Sequence, residues 1–256
     1  MKLLMLGSGT SSGVPRIGGD WGRCDPANPR NRRRRVSILV ESGDTRLLVD
    51  TGPDLREQLL DAEIGWISAV LYTHDHADHC HGIDDLRALF HATGVEIDCF
   101  MDRSTRASLR TRFAYVFAGR AGYPATARAH MLEKEMQFGP ITVRPFVQHH
   151  GKITSTGFRF ESDGHAIAYS TDTNGFPDES WEILAGLDLW VVDALRRYPH
   201  PTHSHLEQTL GWIDRARPAE AWLTHMDQSM DHDELVRELP ANVSPGYDGR
   251  MWKGLK

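Results

Sequence analysis

Thr73-His74-Asp75-His76-Ala77-Asp78-His79 is the stretch that decides the fold. Three histidines and two aspartates fall within six residues. They follow an apolar run, Ile67-Ser68-Ala69-Val70-Leu71-Tyr72, that reads as a buried strand. Imidazole and carboxylate are the usual protein ligands of zinc, and they also suit manganese or iron. In an extended segment His74 and His76 point to the same side. Asp78 and His79 precede Gly82–Phe90, which has helical spacing, so they can turn back toward a second position beside the first. A polar loop whose histidines only cap a helix needs neither this many ligand types nor this spacing. A divalent-metal site is therefore expected here.

Working outward, a chain of 256 residues with 40% hydrophobic content can bury a large core. A single domain over residues 1–256 is expected, with a helical insertion or lid at about 103–135. That segment is richer in Arg and Ala and carries Phe113, Tyr115, Phe117 and Tyr123. A formal charge of -6 and a pI near 6.1 speak against a surface that attracts nucleic acid everywhere, although a local basic patch stays open. Cys24, Cys80 and Cys99 are odd in number and far apart, so no disulfide framework is expected. No signal peptide and no membrane-spanning run of about 20 apolar residues is visible, and a cytoplasmic location is expected.

The first strand, Lys2–Leu6, opens into Gly7-Ser8-Gly9-Thr10-Ser11-Ser12-Gly13-Val14-Pro15. Such a loop can bring its N–H groups close to an anion or can be a plain turn, and it lacks the Gly-Lys-Ser/Thr of a phosphate-binding P-loop. The basic run Arg30, Arg32–Arg35 reads as a solvated edge, or else as an interest in substrate phosphate. Beyond it, strand after strand ends in a histidine or an aspartate: Asp50, His74, His150, Asp172 and His225. Ligands at strand ends of a layered α/β fold converge on one edge of the sheets. Asp50 is placed to orient a ligand histidine from behind. His149 competes with His150 for its position.

This ordered set resembles the metallo-β-lactamase fold superfamily over nearly the whole chain. His74-Asp75-His76-Ala77-Asp78-His79 matches the central motif, and His150, Asp172 and His225 follow in order. The resemblance implies an α/β fold, a four-layer αβ/βα sandwich with two mixed β-sheets and the metals at one edge. It implies two divalent ions, zinc or manganese: His74, His76 and His150 on one, Asp78, His79 and His225 on the other, and Asp172 bridging. Asp75 would orient the reacting water or the loop. Within the superfamily, Gly7–Pro15, Gly82–Arg87, Tyr169–Asp172, Leu223–Met226 and Tyr247–Gly249 are similar to the phosphoribosyl cyclic phosphate phosphodiesterase branch. The branch's phosphate-directed acid maps to His203, with His205 as the near alternative. Where that branch often carries a Cys-x-Cys-x-x-Cys cluster for a structural zinc, this chain has Gly19, Trp21 and Cys24. No structural zinc is expected there.

The expected function is therefore hydrolysis of a small cyclic or nucleotide-like phosphodiester. Paired cations clamp an in-line displacement and make hydroxide available near neutral pH. A thioester or lactone hydrolase on the same fold and a tRNA 3′-processing-like endonuclease are the alternatives. A di-iron redox or binding protein is disfavoured by histidine at position 76. The expected partner is a small phosphorylated substrate, with neither membrane nor nucleic acid; a homodimer is left open.

Overall fold

A computed structural model describes residues 1–254. Two seven-stranded sheets lie face to face. The first contains β1 (Lys2–Gly7), β2 (Ser37–Ser42), β3 (Thr45–Val49), β4 (Ala69–Leu71), β5 (Ile97–Met101) and β6 (Ala127–Met131). The second contains β7 (Met136–Phe138), β8 (Ile141–His150), β9 (Ile153–Ser162), β10 (His165–Ser170), β11 (Leu189–Asp193), β12 (Glu220–Thr224) and β13 (Val243–Pro245). The last strand, β14 (Met251–Lys253), returns to the first sheet, whose order is β14-β1-β2-β3-β4-β5-β6. The second runs β13-β12-β11-β10-β9-β8-β7. Each sheet is mixed: β1 to β3 and β7 to β10 pair antiparallel, while β3 to β6 and β10 to β13 pair parallel.

The strands are apolar on both faces because both faces are covered. Ile38, Val40, Leu47 and Val49 point between the sheets, where they meet Phe158, Phe160, Ile167 and Val191. Their alternates Leu39 and Leu48 point outward to α1 (Leu55–Asp61), with α2 (Ala77–Cys80), α3 (Leu86–Thr93), α4 (Arg103–Arg112) and α5 (Ala114–Ala118) on the same side. On the far side Ala168, Trp190, Val192 and Leu223 meet α6 (Asp178–Ile183), α7 (Leu206–Ala216) and α8 (His232–Glu238). The result is four layers, helix on sheet on sheet on helix.

The insertion expected at 103–135 is less helical than its composition suggested. Helix ends at Ala118, and Ala127–Met131 forms the edge strand β6, paired parallel with β5. Half-buried alternation in an edge strand leaves little periodic signal. Among the described residues, no helix is long and apolar enough to cross a membrane.

Parallel strands share their C-terminal ends. β3, β4, β10, β11 and β12 accordingly deliver Asp50, the 73–79 loop, Asp172, Asp193 and His225 to one edge. Asp50, Asp172 and His225 all have positive φ (64°, 51° and 59°). Non-glycine residues occupy that region at a cost of about 1–3 kcal/mol, and such strain clusters at functional sites.

Candidate metal centre

Two groups of donors lie at this edge and share one carboxylate. His74, His76, His150 and Asp172 each present a donor atom within 4.8 Å of the others, and so do Asp78, His79, His225 and Asp172. The two oxygens of Asp172 are divided between them. Oδ1 is 3.1 Å from His79 Nε2 and 3.4 Å from His225 Nε2, while Oδ2 is 3.7 Å from His150 Nε2 and 3.8 Å from His74 Nε2. Asp78 Oδ2 lies 3.4 Å from His79 Nε2 and 3.6 Å from His225 Nε2. All seven residues named as ligands from the sequence are therefore brought together.

His150 rather than His149 enters the cluster because side chains alternate along β8. His150 is buried, and His149 is exposed on the opposite side of the strand. Gly151 follows with φ 64°, and a Cβ there would stand 2.5 Å from Thr202 Cγ2. That close approach lets the Thr202 carbonyl accept a 2.8 Å hydrogen bond from His150 Nδ1.

The other rings are also held from behind, which fixes tautomer and direction. His79 Nδ1 donates to Asp50 Oδ2 at 2.7 Å, and Asp50 accepts further bonds from the Thr73 amide and hydroxyl, both 2.8 Å. The Thr73 hydroxyl lies 3.0 Å from His74 Nδ1. With their Nδ1 atoms committed, the buried Nε2 atoms of His74 and His79 have no hydrogen-bond partner among the described residues, and neither does Nε2 of His225. Buried polar atoms without partners are rare in folded proteins and call for a ligand. The electrostatics agree. Burial alone would lower His79, but the carboxylates of Asp172, Asp78 and Asp50 hold its pKa well above the usual value. Burial would raise Asp172, yet His225, His79 and His203 hold it well below the usual carboxylate range. Concentrated buried carboxylate paired with open imidazole nitrogens fits a pair of divalent cations.

His203 stands beside this cluster. Its Nε2 is 3.8 Å from Asp172 Oδ2, and its ring stacks on His225 with centroids 4.7 Å apart. Its Nδ1 donates to Asp193 Oδ2 at 3.1 Å. Burial would lower its pKa, but Asp193 and Asp172 overcome that and raise it to about 9. His205 takes the N-cap position of α7 and does not line the cavity. Asp193 was legible only as the end of a strand; it is fully buried, and its Oδ2 also accepts from the Thr173 amide.

Asp75 lies outside both donor groups. Its carbonyl accepts from Arg112 Nη1 at 2.6 Å, and its carboxylate is 3.5 Å from the same atom. Of the two roles expected for Asp75, holding the loop is the one with contacts. The cavity over the donors has a volume of about 680 Å³; Ser11, Lys152, Ile153 and Thr202 stand on its wall. The glycine-rich first loop uses its amides internally: Gly9, Thr10 and Val14 donate to Arg34, Met226 and Arg33 carbonyls. Only Ser11 of that loop reaches the cavity.

Only part of the arginine run is a solvated edge: Arg30 and Arg32 are exposed, whereas Arg33 is buried and Arg34 and Arg35 are half-buried. Arg33 is buried, donating to the Met230 carbonyl at 2.6 Å and the Asp227 carbonyl at 3.3 Å, with Cys24 Sγ 3.7 Å away. Arg34 pairs with Asp61 and Asp248, and Arg35 with Asp54. Arg33 thus ties the segment around Cys24 to the turn that follows His225.

Comparison with known proteins places this geometry in context. Residues 45–226 match the family model of the Beta-lactamase superfamily domain. A solved structure described as a diphosphatase from the PhnP family superposes with a TM-score of 0.90 at 36% identity, covering 98% of this chain and 96% of that one. An octanoyltransferase of Porphyromonas gingivalis is 33% identical over 97% of this chain and 51% of its own length, so the chain spans about half of that relative. The exodeoxyribonuclease WalJ of Streptococcus pneumoniae is 26% identical over 85% of this chain and 77% of its own length.

Proposed function

We propose that this chain, which belongs to the beta-lactamase superfamily and is a hydrolase of the metallo-β-lactamase fold, is a phosphodiesterase dependent on two divalent cations, zinc or manganese. His74, His76 and His150 would hold one, Asp78, His79 and His225 the other, and Asp172 both. When bound, the cations would supply an activated water and neutralise charge developing on a phosphoryl group.

The rest falls to the chain's own side chains. Asp50, Thr73 and the Thr202 carbonyl keep the imidazoles aimed, so little reorganisation accompanies reaction. Arg112 anchors the loop through Asp75. His203, protonated and held by Asp193, faces the space beside Asp172. As the P–O bond to the leaving group breaks, His203 Nε2–H passes its proton to the departing oxygen, and the water adds to phosphorus with loss of one proton to solvent, from which His203 is reprotonated. His203 is the observation that carries the choice of a phosphodiester. A thioester needs no such cationic acid beside its cleft, since a thiolate leaves unaided. The cavity suits a cyclic or nucleotide-like reacting end. The PhnP-family diphosphatase and the WalJ exodeoxyribonuclease support a phosphoryl substrate. The octanoyltransferase name describes a relative about twice as long and is not carried over.

The test is hydrolysis of bis(p-nitrophenyl) phosphate and a ribosyl 1,2-cyclic phosphate by protein loaded with zinc or manganese. On the ribosyl cyclic phosphate, whose departing alkoxide needs a proton, His203→Ala should lower kcat by about 10²–10⁴, while His205→Ala should leave it within about threefold. Turnover of neither substrate, or ribosyl cyclic phosphate turnover unaffected by His203→Ala, rejects the proposal.

A further inference from the structure

The chain is acidic overall, yet its charge is unevenly distributed. Between Asp102 and Glu133 there are six arginines and no acidic residue. Arg103, Arg106 and Arg110 stand at i, i+3 and i+7 of α4, which places them on one helix face. Arg103, Arg110 and Arg120 are exposed. Among the described residues Arg103, Arg110 and Arg120 form no ion pair, whereas Arg112 and Arg128 do; Arg106 is half-buried, with its Nε donating to the Ala129 carbonyl at 3.4 Å. Unpaired cations facing solvent in a chain of opposite net charge mark a surface for a polyanion.

The start of α4 borders the metal centre, through residues on the helix face opposite these arginines. At the start of α4, Ser104 and Thr105 share a cavity of about 520 Å³ with His74, Asp75, His149 and Lys152. At its end, Arg112 binds the Asp75 carbonyl. Ten residues of helix span about 15 Å. Beyond them lies a separate cavity of about 260 Å³ whose walls include Arg87, Phe90, Tyr115, Arg120 and Tyr123. Tyr115 and Tyr123 are 42% and 68% exposed, so their faces are open to a ligand. The Arg87 guanidinium lies 5.9 Å over the Tyr123 ring, and the carboxylate on this wall, Asp84, is engaged by Tyr115. Rings interleaved with guanidinium groups, beside a stripe of free arginines, are what a base and its phosphates need.

We propose that α4, α5 and the 119–124 turn form a binding surface for single-stranded nucleic acid, with a base in the Tyr115/Tyr123 cavity and the backbone along Arg120, Arg110 and Arg103 toward the start of α4. This rests on the phosphodiesterase reading and extends it: the nucleotide-like end that reacts belongs to a strand. A strand fits better than a duplex, because the rings require an unstacked base.

The test measures fluorescence anisotropy of a labelled phosphorothioate dodecamer, which resists cleavage, on metal-loaded protein. Arg103→Ala/Arg110→Ala/Arg120→Ala should weaken binding at least tenfold. It should also reduce the slope of log affinity against log salt by about 2, at about 0.7 per phosphate contact. Tyr115→Ala/Tyr123→Ala should weaken binding about tenfold with the salt slope kept, and the corresponding Phe variants should restore it. Hydrolysis of bis(p-nitrophenyl) phosphate, which is too small to reach α5, should be unchanged in every variant. No binding by the wild type, equal binding by the arginine variant, or the same losses with duplex DNA or polyphosphate overturns the proposal. Failure of the phosphodiesterase reading is seen separately, as absence of bis(p-nitrophenyl) phosphate turnover by the wild type.

Discussion

Asp50→Asn isolates the support behind one of the two proposed metal positions. Asp50 is fully buried and has a φ of 64°. Asparagine tolerates that backbone region as well as aspartate does, so the fold loses nothing there. What changes is the hydrogen bonding. The carboxylate accepts three bonds, from His79 Nδ1 at 2.7 Å and from the Thr73 amide and hydroxyl at 2.8 Å. The amide has one acceptor oxygen and presents an NH2 group in place of the other. At least one of the three donors then faces a donor, which costs about 1–3 kcal/mol of stability in the metal-free protein. Where that donor is His79, Nδ1–H loses its acceptor and the ring no longer favours the tautomer that leaves Nε2 open. Such partners of ligand histidines are worth about 10–100-fold in metal affinity, or about 1.4–2.7 kcal/mol. Zinc titration against a chromophoric chelator should thus show two ions per wild-type chain. In Asp50→Asn the His79-side ion should weaken 10–100-fold while the other stays within about threefold. Equal weakening at both positions, or none at either, refutes the assignment of Asp50 to His79.

Asp193→Asn removes the charge nearest His203 Nδ1 and should lower the His203 pKa from about 9 by about 1–2 units. Because the acid must be protonated, the limb of kcat/KM that falls with rising pH should move to lower pH by that amount. The sign in stability is the same: a raised histidine pKa stabilises the metal-free fold most below about 6.5, and that contribution is lost as pH rises through about 9. Gly151→Ala would place a Cβ 2.5 Å from Thr202 Cγ2 at φ 64°; calorimetry should show a loss of about 1–3 kcal/mol and weaker metal binding through His150. Arg33→Met leaves the Met230 and Asp227 carbonyls buried without their donor, so urea unfolding should show a loss of about 3 kcal/mol. Arg33→Lys should not rescue it, because one ammonium cannot span the fork's partners.

Much of the fold was legible because it is written locally. Short apolar runs bounded by turn residues marked β1 to β3 and β9 to β12, and the amphipathic pattern of Leu206 to Ala216 marked α7 at its observed bounds. The short strands β6, β7, β13 and β14 escaped, since three to five residues carry too little period and their pairing comes from the neighbouring strand. Residue type and strand-end position likewise marked Asp50, His74, His150, Asp172 and His225, and the resemblance to the metallo-β-lactamase superfamily supplied the seven-ligand assignment.

The sequence by itself thus determined that a strand empties into His74–His79 and that further donors close later strands. The tertiary structure decided how those side chains face one another. It chose His150 over His149 through the side of β8 that meets the other sheet. It placed Asp193 behind His203, a relation that depends on β10, β11 and β12 lying side by side and parallel. It buried Arg33 out of a run whose composition reads as surface. Each of these depends on contacts between residues tens to hundreds of positions apart. Periodicity and residue type say which face a side chain occupies, while packing alone settles what stands opposite it.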